Sequence, residues 1–91
     1  MKLWGKLIQK QKIIQSIVIE NNNPALSKEQ QRKDCLEQLC YDFDIPYPIW
    51  LPYNEQDYKK YKKTAFKQDH FIEPISFDYL EIQELETEKV L

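Results

Sequence analysis

The sequence predicts an α+β domain: a small antiparallel sheet, made of an N-terminal β-hairpin and a C-terminal strand, packed with two helices and a proline-rich strap. Three observations carry this. Two apolar arms rich in β-branched residues flank a short polar run near the start. A capping signal then precedes apolar residues at helical spacing. Finally, three of the five prolines fall between Ile45 and Tyr53, where neither a helix nor a fully paired strand can run.

The hairpin spans Lys2 to Glu20. Leu3, Trp4, Leu7 and Ile8 form one arm, and Ile13, Ile14, Ile17, Val18 and Ile19 the other. Such β-branched density favours a strand over a helix. Gln9-Lys10-Gln11-Lys12 supplies the turn, without the Asn-Gly or Asp-Gly pair that usually marks one. Gly5, the only glycine, marks a bulge or a place of close backbone packing. Alternation fails at Ile13-Ile14 and at Ile17-Val18-Ile19, which implies a strand covered on both faces or a second apolar face meant for a partner.

After the loop Asn21–Pro24, Ser27 and Gln30 form a capping box, and the spacing predicts a helix over 28–41. Leu36, Leu39, Cys40 and Phe43 lie on one face of it. The strap follows. Asn54, with Glu55 and Asp57 behind it, predicts a second helix to about Lys63. The chain then reads as extended or irregular from Thr64 to Ile72. Phe77 to Leu85 is the last strand, and 86–91 a frayed tail. The expected core holds Trp4, Leu7, Ile17, Ile19, Leu36, Leu39, Cys40, Phe43, Ile49, Trp50, Phe66, Leu80 and Ile82. The first helix is expected on one face of the sheet, with the strap and second helix on the other.

Ninety-one residues form one domain, and 42% apolar with 31% charged residues does not fit disorder. The net charge of −2 argues against a general nucleic-acid binder. It is blocked, however: +5 over residues 1–33, −6 over 34–58, +5 over 59–67 and −6 over 68–91. No apolar run approaches the ~20 residues of a spanning helix. The N-terminal stretch does not read as a secretory signal, and two cysteines suit free thiols in a reducing cytoplasm. A cytoplasmic protein without cofactor or membrane partner is expected.

Four sets of residues are candidates for chemistry. Asp69, His70 and Glu73 could hold a metal or move a proton, but their spacing matches no established zinc signature. The bland alternative is a partly buried His bonded to a carboxylate. Cys35 and Cys40 lie about 140° apart around a helix, so they form no redox pair. Lys59, Lys60, Lys62, Lys63 and Lys67, with Tyr58 and Tyr61 between them, could neutralise phosphates and stack on bases. The competing reading turns both tyrosines inward and leaves the lysines in water. Tyr47, Trp50 and Tyr53 of the strap form an aromatic ledge for a protein partner, or pillars of the core.

Leu3-Trp4-Gly5-Lys6, Pro48-Ile49-Trp50-Leu51, Phe66 through Glu73 and Phe77 through Ile82 together resemble a family of small bacterial proteins of about this length with no assigned function. That resemblance implies a stand-alone cytosolic domain and transfers no catalytic or binding residue. The function expected is a non-catalytic interaction module that binds a protein partner or a second copy of itself. Single-stranded nucleic-acid binding through Lys59–Lys67 and a metal or acid–base site at Asp69, His70 and Glu73 are the alternatives.

Overall fold

A computed structural model describes residues 1–86. Strands β1 (Lys2–Gln9) and β2 (Lys12–Glu20) form the hairpin, helix α1 covers Lys28–Phe43, and α2 covers Pro52–Tyr61. A short strand β3 (Lys63–Phe66), a 3-10 turn over Gln68–His70 and β4 (Tyr79–Leu85) complete the chain. All neighbouring strands are antiparallel, in the order β2-β1-β4-β3. The α+β architecture expected from the sequence is therefore present, with β3 as an additional strand in the stretch read as extended or irregular. The expected tail, 86–91, lies outside the described residues except for Glu86.

The hairpin turns through Lys10 and Gln11 at φ 51° and 65°. This is the left-handed geometry that two-residue hairpins need and that glycine or asparagine normally supplies. Asp78 compensates, its carboxylate accepting the Lys10 N–H at 2.8 Å. The Gln9 side chain also reaches the Ser76 carbonyl.

Ser27 and Gln30 form the expected capping box at the start of α1. The helix ends where Asp44 turns left-handed at φ 56°, and the Ile45 N–H returns to the Cys40 carbonyl. It buries Cys35, Leu36, Leu39, Cys40 and Phe43. Gly5 is what lets this helix approach: a Cβ there would stand 2.8 Å from Leu39 Cδ2 and 3.3 Å from Phe43 Cε2.

Helix α2 starts earlier than Asn54 predicts, with Pro52 in its first turn. Asn54 still helps to cap it, accepting the Leu51 N–H at 2.9 Å. Its amide then donates to Thr64 Oγ1 and to the Ala65 carbonyl, tying α2 to β3.

Both helices and the strap occupy one face of the sheet, not opposite faces. Leu3, Gly5 and Leu7 of β1 align with Ile19, Ile17 and Gln15 of β2, and with Glu84, Ile82 and Leu80 of β4. That is the face on which Leu39 meets Gly5, Tyr58 meets Glu84 and Asn54 meets Thr64. Leu3, Phe66, Leu80 and Ile82 are fully buried there. Trp4 therefore sits on the opposite face, half-buried, its indole N–H donating to Ser16 Oγ at 2.7 Å. The expectation of a core Trp4 was off by one residue, because Gly5, lacking a side chain, does not read as a core position. Ile49 is exposed instead of buried, whereas Phe71 and Phe77 join the core.

Candidate functional site

Strand β2 is an outer strand of the sheet, nine residues long, with β1 on one side only. Its backbone hydrogen bonds can be assigned by parity. Met1 and Asn21 exchange both main-chain bonds, since the Asn21 N–H donates to the Met1 carbonyl and the Met1 amine donates to the Asn21 carbonyl. Alternation in an antiparallel pair then directs the amides of Ile19 and Ile17 to β1. The amides and carbonyls of Ser16, Val18 and Glu20 face outward. Between Gln15 and Ile13 the register slips, so Ile14 is an extra residue opposite Leu7 and Ile8. This slip accounts for the doubled Ile13-Ile14; along Ile17-Val18-Ile19 the register is regular, with Ile17 and Ile19 towards the helices and Val18 on the opposite face.

The same strand is apolar in the open. Ile13, Ile14 and Val18 are 54%, 48% and 47% exposed. Val18 aligns with Trp4 on the face opposite the helices, and Ser16 with Lys6. Lys6 lies 4.0 Å over the Trp4 ring and pairs with Glu81 at 2.7 Å, while Lys2 and Glu20 pair at 3.8 Å. That face carries a thin polar lattice around an indole, and no described helix covers it.

The strap is anchored from beneath. Pro48 is fully buried, and the Ile49 N–H donates to the His70 carbonyl at 2.7 Å. Trp50 stands edge-on to Phe66 and Tyr58 at 5.2 and 5.9 Å between ring centres, and is half-buried. Of the three strap residues considered for a partner, Trp50 is thus a pillar, while Tyr47 and Tyr53 are the exposed ones. Burial pushes the Tyr47 phenol up, and burial with the charges of Asp69 and Asp57 does so for Tyr53, so both hydroxyls stay protonated donors at neutral pH.

His70 is fully buried. Its Nδ1 accepts the Lys67 N–H at 3.0 Å, which places the proton of the neutral ring on Nε2. That proton is donated to the Tyr53 hydroxyl oxygen at 2.6 Å. The ring also lies edge-on to Phe66 and Tyr53. Both nitrogens being engaged, none is left to ligate a metal. Asp69 and Glu73 are exposed, and among the described residues no three of His, Cys, Asp and Glu are placed to share an ion.

Both cysteines are buried in the core, a position the sequence indicated for Cys40 alone. Burial pushes Cys40 up to about 12, and raises Cys35 as well. An activated thiolate needs the opposite shift.

Lys59, Lys60, Lys62, Lys63 and Lys67 are all exposed around the α2–β3 junction. The two tyrosines part company: Tyr58 is buried and donates to a Glu84 carboxylate oxygen at 2.6 Å, whereas Tyr61 is 58% exposed. Neither the inward nor the outward reading applies to both.

No family model, curated protein or solved structure matches the chain. The resemblance to a family of small bacterial proteins thus gains no support, and the surfaces must be weighed on their chemistry. Among the described residues, no helix is long and apolar enough to cross a membrane. Sequence reasoning found the second apolar face of β2, through its doubled isoleucines. It passed over Arg32, the only arginine, whose setting is visible only once α1 and the strap are docked.

Proposed function

We propose that this protein is a non-catalytic interaction module whose binding element is the free edge of β2, which adds a strand from a protein partner or from a second copy of the chain. One observation carries the reading. A nine-residue outer strand leaves outward main-chain groups at Ser16, Val18 and Glu20 beside exposed Ile13, Ile14 and Val18. Edges that must stay alone are blunted by proline, by inward charges, by bulges or by extreme shortness. Here β2 has no proline, and its only charges are the terminal Lys12 and Glu20. The bulge at Ile14 confines regular pairing to the half from Ser16 onward. Strand addition draws affinity from main-chain bonds and specificity from alternate side chains.

Light scattering across a concentration series, together with capture from native lysate, tests this. Self-association or one salt-resistant partner is expected. Val18→Pro removes an outward N–H without touching the bond network to β1, so it should abolish the association while preserving the fold. A strict monomer that retains no partner would end the proposal.

The nucleic-acid reading keeps one specific support, the five exposed lysines beside exposed Tyr61. It predicts binding to single-stranded oligonucleotides that weakens steeply with salt. With Tyr58 buried, only Tyr61 is left to stack on a base, so this reading ranks second.

A further inference from the structure

A cleft of about 490 Å³ lies between the N-terminal half of α1 and helix α2, with Met1 and Glu84 at its edge. Arg32 is its central feature. The guanidinium carbon lies 4.5 Å from the centre of the Trp50 ring and 4.7 Å from that of Tyr58. The side chain is only 15% exposed, so the aromatic pair holds the flat group in place with its N–H fork beside the cleft. Among the described residues its ion-pair partner is Glu55, at 3.6 Å, which is too long for a hydrogen bond. Glu55 is itself half-exposed, a loosely held carboxylate next to a firmly held guanidinium.

The side chains around the cleft leave a small positive balance, Arg32 and three lysines against Glu29, Glu55 and Glu84, the last of which accepts from the Tyr58 hydroxyl. Lys28, Lys59 and Lys62 line the walls, exposed and without an ion pair among the described residues, against Glu29. A fixed fork with three mobile ammonium groups suits a compact ligand carrying more than one negative charge. The volume lies within the usual range for small-molecule sites.

We infer that this cleft binds a small organic or inorganic polyanion, with Arg32 gripping one oxyanion group bidentately in place of Glu55 and the lysines neutralising the rest. Carboxylate and phosphate groups share the required chemistry. Citrate and inorganic pyrophosphate are therefore the probes, and the tighter of the two names the class.

The test is a titration of isotope-labelled protein followed by two-dimensional NMR. Saturable shifts at millimolar probe are expected at the Trp50 indole N–H and the amides of Lys28 to Arg32. Lys59→Gln combined with Lys62→Gln, both exposed positions, should weaken binding about tenfold or more. Arg32→Lys, which keeps the charge and loses the fork, should do the same. Glu55→Gln frees the guanidinium and should tighten binding several-fold, an effect that a purely structural arginine would not produce. Absence of saturable shifts with both probes would overturn the inference, as would affinities unchanged by all these substitutions. So would shifts centred on Lys60, Lys63 and Lys67 and surpassed by a single-stranded oligonucleotide, an outcome that would favour the nucleic-acid reading.

Discussion

Single residues in this molecule act mainly through the space or the hydrogen bond they leave for a neighbour. Gly5 is the clearest case, since a methyl group there presses on Leu39 in a filled core. Gly5→Ala should cost about 1–3 kcal/mol in urea unfolding, the usual range for an overpacked site. His70 is a second case. His70→Ala leaves the part-buried Lys67 N–H without its partner and opens a cavity beside Phe66, so a loss of about 2–4 kcal/mol is expected by the same measurement. Its neutral partners, not a metal, explain its burial, and this could not be read from a sequence in which Asp69 and Glu73 stand closer than Tyr53. Cys40 and Tyr58 give the largest part of the pH dependence, and Cys35, also raised by burial, adds to the loss above pH 9. The folded Cys40 thiol is raised from an ordinary 9.0 to about 12, so its contribution is complete below about pH 9 and is lost as pH climbs towards 12. Burial and the Glu84 hydrogen bond raise the Tyr58 phenol, adding a loss that begins near pH 10. Stability should therefore fall above pH 9 with a slope of up to about 1.4 kcal/mol per pH unit for each group. Cys40→Ala should flatten the earlier part of that slope, and an unchanged profile would contradict the assignment.

At the scale of elements, the hairpin shows what local chemistry does and does not specify. Two non-glycine residues take left-handed geometry at its tip, where Asp78, nearly seventy positions away, supplies the restraint. Replacing Lys10-Gln11 by Asn-Gly should raise stability by about 1 kcal/mol, because it removes that local cost and keeps the Asp78 bond. A shifted midpoint at constant urea dependence would be the signature. Helix α1 was legible from Ser27, Gln30 and its apolar spacing, since capping and periodicity are local. The start of α2 was less so: Asn54 signals a cap, yet Pro52 opens the helix and Asn54 turns its amide to β3. Strand β3 was legible only as extended or irregular chain from Thr64 onward, not as a paired strand. Its four residues pair only because α2 and β4 bring partners to them. Lysines on both sides of that strand point to phosphate as readily as to water when only the sequence is in hand.

For the molecule as a whole, the decisive feature is that both helices share one face. The sequence contains the parity of each strand, but one glycine in β1 hides which parity faces the helices, and so Trp4 and Leu3 exchange roles. Strand order is likewise a matter of long-range pairing. Leu80 lies at the meeting point of β1, β3 and β4, fully buried. Leu80→Ala should cost about 2–5 kcal/mol; a loss below half a kcal/mol would refute the core described above. Among the described residues the sheet is covered on one side only, and its β2 edge is free of proline and inward charge from Ser16 to Ile19. The expected remedy is another chain, and concentration-dependent stability would be its thermodynamic trace.

The parity of β2 also has a kinetic reading. In an isolated chain, the amides of Ile17 and Ile19 are held by β1 while those of Ser16, Val18 and Glu20 meet water. Hydrogen exchange along this strand should therefore alternate, slow at odd positions and fast at even ones. A strand laid against the edge would slow the even positions and erase the pattern. Five neighbouring amides would then report, residue by residue, whether the edge is vacant or filled, even for a partner not yet identified.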